Sequence, residues 1–219
     1  MKIIIKFLFL LLLMFNFSCD SIIVDDTADS DSTEESTDTA EAEDTSYKYT
    51  DYEKYVLDEV NYARTKPAAY AEERLLSYYN SGKDNGSYLD IKSYSALSAL
   101  ELQNQLNEAA RKYAKFLADN DKWGHEENGT PSERCKKEGY LKFTGENIAA
   151  GSYPNMDGNK LPKEAAVEFV LQWIIDEGIV GVGHRKNIMG SKHKKLGVGF
   201  ASNASSSMKN YTVQDFGGE

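Results

Sequence analysis

The sequence predicts an α+β domain, and three observations predict it. Amphipathic helical stretches fill the early part of the chain, a mixed region follows, and two runs of strand character close it. Strands do not alternate with helices, as a parallel βαβ sheet would require. No internal repeat interrupts the order.

The first element is a helix over Asp51–Lys66, where Tyr52, Tyr55, Val56, Val60 and Ala63 fall on one apolar face. Thr50 or Asp51 can cap it, and Pro67 ends it or starts the next. Ala68–Tyr79 also reads as helical, and Ser81–Ser87 is a loop by its turn residues. The clearest helix is Leu102–Leu117, with Leu102, Leu106, Ala109, Ala110, Tyr113 and Leu117 on one side. Lys122–Thr130 is loop, and Pro131–Glu138 is a short helix ended by Gly139. Lys163–Asp176 is helical, with Ala166, Val167, Val170, Leu171 and Ile174 inward. Leu196–Ser202 and Tyr211–Phe216 read as strands joined by the polar loop Asn203–Asn210.

The residues before the domain predict export. Lys2 and Lys6 precede Phe7–Phe15, an unbroken apolar run of nine residues. A spanning helix needs roughly 20 such residues, so this run fits the core of a signal peptide over residues 1–18. Ser18-Cys19 follows. It resembles a bacterial lipoprotein site, with cleavage before Cys19 and lipid attached to its sulfur. Asn16 stands where such sites usually carry Leu. The alternative is an ordinary secreted chain with an incidental cysteine.

The net charge of -10 is unevenly spread. Residues 20–46 hold eleven acidic residues and no Lys or Arg. Removing these and the two leading lysines leaves 23 basic and 24 acidic residues in residues 47–219. A near-neutral domain gives no reason to expect nucleic-acid binding, which needs a clustered basic surface. Residues 19–46 have little to bury and are expected to form a disordered acidic linker, with the folded domain spanning 47–219. The only cysteines, Cys19 and Cys135, cannot build a disulfide framework. Cys135 reads as a partly buried helix residue with no obvious activating base.

Separated stretches then line up in one order: Asn61-Tyr62-Ala63-Arg64, Ala109-Ala110, and Gly124-His125. Arg134 through Tyr140, Gly145-Glu146-Asn147-Ile148-Ala149, Trp173 and Gly183-His184-Arg185-Lys186-Asn187-Ile188 follow. Leu196-Gly197-Val198-Gly199-Phe200 and Tyr211–Phe216 complete the set. The set resembles the bacterial branch of the CAP superfamily (cysteine-rich secretory proteins, antigen 5 and pathogenesis-related proteins) from about Tyr52 to Phe216. The resemblance implies a three-layer α-β-α sandwich with a small antiparallel sheet between helices. It also implies a cleft lined by His125, Glu146, Asp176 and His184. The third of these is more often Glu in the family, and Glu177 beside Asp176 is its substitute candidate.

On chemistry alone these residues leave several functions open. His125 and His184 offer nitrogen ligands to a divalent metal such as zinc, with a carboxylate completing an open site. Equally, His125 can brace its own loop, and Glu146 can fix the start of a turn at Asn147. His193, in Ser191–Lys195, reads as a solvated turn residue. His125-Glu126-Glu127-Asn128 opens like a zinc-protease helix but lacks the second histidine. The first expectation is therefore a monomeric binding module at the cell envelope, engaging a lipid, a sterol or a surface partner. The alternatives are a metal-dependent hydrolase with Glu146 as base, and a structural or adhesive lipoprotein.

Overall fold

The computed structural model describes residues 22–23, 47–151 and 163–218. The signal peptide, Cys19 and nearly all of the acidic linker lie outside the described residues. In chain order the elements are β1 (Ile22–Ile23), α1 (Asp51–Thr65), α2 (Pro67–Tyr70), a π-helical turn (Ala71–Leu75), α3 (Leu76–Ser81) and α4 (Ser87–Ser93). Then come β2 (Glu101–Leu102), α5 (Asn104–Asn120), α6 (Pro131–Lys137), β3 (Phe143–Gly151), α7 (Lys163–Ile175), α8 (Gly183–Ile188), β4 (Lys195–Ser202) and β5 (Asn210–Gly217).

The sheet runs β1-β3-β5-β4-β2, antiparallel except for the parallel β2–β4 pair. Helices cover both faces, which makes the expected three-layer α-β-α sandwich. Alternation along the strands sorts the two cores. Leu196, Val198 and Phe216 point to the layer containing α1, α7 and α8, where Val56, Val60, Phe169 and Ile174 are buried. Ile148, Tyr211 and Val213 point the other way, onto Ala110, Tyr113 and Leu117 of α5.

Two glycines let α5 lie directly on β4. A Cβ at Gly197 would stand 2.2 Å from a backbone atom of Leu106, and one at Gly199 2.2 Å from Ala110 backbone. Any side chain there would push helix and sheet apart.

Most predicted elements are present with shifted ends. Thr50 caps α1 in a reciprocal capping box with Glu53. The helix expected over Ala68–Tyr79 is present but broken by the π-helical turn. The largest departure is at Gly145–Ala149. It is not a turn around Asn147 but the middle of the long strand β3. Ile22–Ile23 depart too. They pair with β3 where composition predicts disorder. Together with Val24 they are the only aliphatic residues larger than Ala between Asp20 and Ser46, so β-propensity concentrates there.

Candidate functional site

The site is organised by two adjacent residues of β3. Successive strand side chains point to opposite faces. Glu146 therefore faces α6, and Asn147 faces α8.

On the α6 face, Glu146 is fully buried. Its Oε1 lies 2.7 Å from His125 Nδ1, and its Oε2 accepts from Arg134. A carboxylate can only accept, so His125 donates through Nδ1. Arg134 also donates to the carbonyls of His125, at 2.7 Å, and Gly129. Its guanidinium sits 3.3 Å from the ring centroid of Tyr113. The local sequence explains why Arg134 is so placed. Thr130 and Glu133 form a capping box and Pro131 opens the helix, so α6 starts at a fixed point beside the His125 loop. His125 Nε2 is buried and has no hydrogen-bond partner among the described residues.

Directly across from Glu146 in the β3–β5 register stands Asp215. It is 1% exposed, and neither carboxyl oxygen has a well-formed hydrogen bond among the described residues. Burial holds its pKa well above the usual carboxylate range, and the charge of Glu146 adds to this while Arg134 opposes it. Cys135 is entirely buried beside them, more so than expected from sequence. Burial, then the charge of Asp215, pushes its thiol far up, so it is not a nucleophile.

On the α8 face, Asn147 donates to Gln214 Oε1 at 3.1 Å and to the His184 carbonyl at 3.3 Å. Asn187 donates to Asn147 Oδ1 at 2.9 Å and to the Glu146 carbonyl at 3.1 Å. These two amides rivet α8 to the strand. His184 Nδ1 lies 2.5 Å from Asp176 Oδ1, and the backbone N–H of Arg185 donates to Asp176 Oδ2 at 3.1 Å. Arg185 holds the end of α7 through the carbonyls of Ile174 and Ile175, at 2.6 and 3.0 Å, and reaches Asp90 at 3.0 Å.

Of the two candidate acids after Trp173, Asp176 makes the histidine contact and Glu177 is exposed. Asp176 follows the last turn of α7 with φ 55°. Asp tolerates the left-handed region better than longer side chains do, and its short carboxylate folds back onto the α8 N-terminus from there. This backbone conformation suits Asp at position 176.

His193 is not the solvated turn residue expected from sequence. Its ring is buried against Phe216, centroid to centroid 5.0 Å, and its Nδ1 lies 2.7 Å from Thr144 Oγ1. Burial, with Arg64 and Lys192 nearby, pulls its pKa down to about 4. Arg64 of the Asn61–Arg64 segment supports this corner by donating to the carbonyls of Ser98, Ile188 and Gly190, at 3.0, 2.7 and 2.9 Å.

The structure thus brings His125 to Glu146 and His184 to Asp176, one pair on each side of residues 146–147. Among the described residues no group of three or more His, Cys, Asp or Glu side chains forms a metal-holding cluster. Sequence reasoning did not single out Arg134, Asp215, Arg185 or Asn187 as functional. Arg134, Arg185, Asn187 and Asp215 all stood inside the family-like stretches. Asp215 needed the strand register, which a single sequence does not reveal.

The α-β-α sandwich and the ordered stretches that build it point to one class of protein. The chain belongs to that class, the CAP family: the model described as "Cysteine-rich secretory protein family" matches residues 57–216. Similar solved structures include an outer surface protein from Borrelia burgdorferi, at 21% identity and TM-score 0.41, over 56% of this chain and 80% of that one. BmVAL-1 is similar at 15% identity and TM-score 0.47, over 80% of both chains. Venom allergen-like protein 4 from Schistosoma mansoni is similar at 13% identity and TM-score 0.44, over 78% of this chain and 91% of that one. Comparison with curated proteins gives no match.

Proposed function

We propose that the protein is an exported CAP-domain binding module, held at the cell envelope through Cys19, whose two histidine–acid pairs form a recognition site able to take a divalent cation such as zinc. The apolar run before Cys19 and the secretory character named in the family description support export. One observation carries the choice of binding over hydrolysis: both cleft carboxylates are already committed. Glu146 spends one oxygen on His125 and the other on Arg134, and Asp176 spends one on His184 and the other on the Arg185 N–H. A general base needs a carboxylate oxygen or imidazole within reach of a water proton. Glu146, the base of the hydrolase alternative, is fully buried and bonded at both oxygens, to His125 and Arg134.

The same arrangement suits the histidines to metal ligation. A ligating histidine typically gives its other ring N–H to a carboxylate, which fixes tautomer and orientation. His125 does this at Nδ1 and keeps an unpartnered, buried Nε2. The ligand this geometry supports is His125, with Glu146 orienting its ring; His184, oriented by Asp176 on the other side of β3, is the second ligand that the family resemblance implies. A bound cation would supply an electrophilic point for an anionic or carbonyl-bearing ligand, such as a lipid headgroup or a surface partner.

The test is zinc titration by calorimetry on the full chain in detergent, wild type beside a His125→Ala/His184→Ala double variant, with folding followed by circular dichroism. One-site binding in the wild type, lost in a still-folded variant, is expected. No binding in the wild type would sink the cation reading. Hydrolytic turnover abolished by Glu146→Gln would replace the binding module with the hydrolase.

A further inference from the structure

Helices α5 and α6 pack against each other, and charged side chains line the seam between them. Residues three and four apart on a helix share a face. On α6 that face carries Arg134 and Lys137, with Glu138 just past its end, and Lys112 and Tyr113 of α5 oppose it. Asn128, in the loop before α6, closes a third side. Together they line a cavity of about 130 Å³, well below the roughly 300–1,000 Å³ of a pocket for a drug-sized ligand. A space of this size suits a single chemical group.

The cations around it have donors to spare. Arg134 is 6% exposed, and its Nε–H has no hydrogen-bond partner among the described residues, although its other two nitrogens are engaged. A buried donor left unsatisfied is costly, more so in a charged group. Among the same residues Lys137 makes no hydrogen bond or ion pair; only its charge reaches Glu133, which is held in the α6 capping box. Lys112 pairs with Glu138 at 2.5 Å on the exposed rim. Setting Glu138 and the Glu146 carboxylate bonded to Arg134 against the three cations leaves one positive charge. We propose that this cavity binds a small oxyanion of the size and charge of phosphate, free or as the terminal group of an ester. Donors converge from α5, α6 and the Asn128 loop, which fits a tetrahedral anion accepting from several sides. Lys112, Lys137 and Asn128 supply the exposed donors and Arg134 Nε the buried one. The site uses no metal and stands apart from the cation reading, sharing only Arg134 with the His125–Glu146 pair.

Titration of the full chain in detergent with inorganic phosphate tests it, with a chelator present and ionic strength held constant by chloride. Binding is followed by calorimetry and by the Arg134 Nε–H resonance, assigned with Arg134→Lys. Saturable binding with a Kd of about 1 mM or tighter is expected, with a shift of that resonance. Lys112→Ala/Lys137→Ala, at two exposed positions, should weaken binding about tenfold and leave the melting temperature nearly unchanged. Glu138→Gln, which frees Lys112, should tighten it about threefold. Lys115→Ala, on α5 but outside the cavity, should change nothing. Equal or weaker binding of glycerol 2-phosphate assigns the site to free phosphate, and tighter binding assigns it to a phosphate ester. No saturable binding, saturation without movement of the Arg134 resonance, or equal weakening by Lys115→Ala and the double variant would overturn the proposal.

Discussion

The two histidine–acid pairs contain the same chemical groups and are built on opposite principles. The His125–Glu146 pair is held by charge. Arg134 bridges Glu146, the His125 loop and the face of Tyr113, and a second buried carboxyl, Asp215, stands behind it. The His184–Asp176 pair is held by backbone. Asp176 sits in a left-handed residue after α7, takes the Arg185 N–H, and faces a helix riveted by Asn147 and Asn187. The difference teaches that one pair depends on a single cation, while the other is spread over several hydrogen bonds. The first should be fragile to one substitution. The second should degrade in small steps.

The largest effect should come from Arg134→Met. It leaves Glu146 buried without its counter-charge and frees the His125 loop. Breaking a buried ion pair from one side costs about 3–5 kcal/mol. Urea unfolding should show a correspondingly lower midpoint. A loss below about 1 kcal/mol, the range of an exposed ion pair, would show that Arg134 is not what holds this pair.

Next is the third histidine, which separates burial from pairing. His193 has a folded pKa of about 4 and an unfolded value near 6.5, so the unfolded chain gains a proton first as pH falls. Its stabilising contribution is complete above about pH 6.5 and is lost as pH falls toward 4, up to about 3 kcal/mol in all. His193→Phe should flatten that part of the stability–pH curve.

A smaller loss is expected from Asp176→Asn. Asn keeps the left-handed backbone and an acceptor for the Arg185 N–H but forfeits the charge-assisted bond to His184, worth about 1.5–3 kcal/mol at most. Asp176→Glu should cost at least as much, because a longer side chain fits φ 55° poorly. Should Glu prove neutral, the backbone account of the second pair is wrong.

The smallest effect should have the opposite sign. Asp215 has a raised folded pKa, so its unfolded form ionises first as pH rises and stability falls with rising pH. Asp215→Asn mimics the protonated acid and should stabilise the protein, more at pH 8 than at pH 5. Thermal melts of both proteins across that range check the slope.

The two kinds of support also differ in how legible they are in sequence. The amphipathic faces of α1, α5 and α7 could be read directly, because period 3.6 patterns survive without tertiary information. His125, Glu146, Asp176 and His184 were visible only through the family resemblance. β3 was not read as a strand, since Gly145-Glu146-Asn147 has polar residues on both faces, each satisfied by a different layer. No periodic rule marks such a segment. Asp215 and His193 were misjudged or missed for a related reason. Their burial follows from strand pairing and from the corner built by Arg64, Thr144 and Phe216, which lie far apart in sequence.

In both pairs the histidine gives Nδ1–H to a carboxylate, an arrangement that leaves His125 Nε2 without a hydrogen-bond partner among the described residues. It is tested most directly by nitrogen NMR of the imidazoles in the ¹⁵N-labelled protein, assigned with His125→Ala and His184→Ala. A protonated Nδ1 is expected in both His125 and His184, with a shift of the Nε2 resonances on adding zinc. A proton on Nε2 alone in either ring would contradict it, because the Nδ1–carboxylate contact would then have no proton to share.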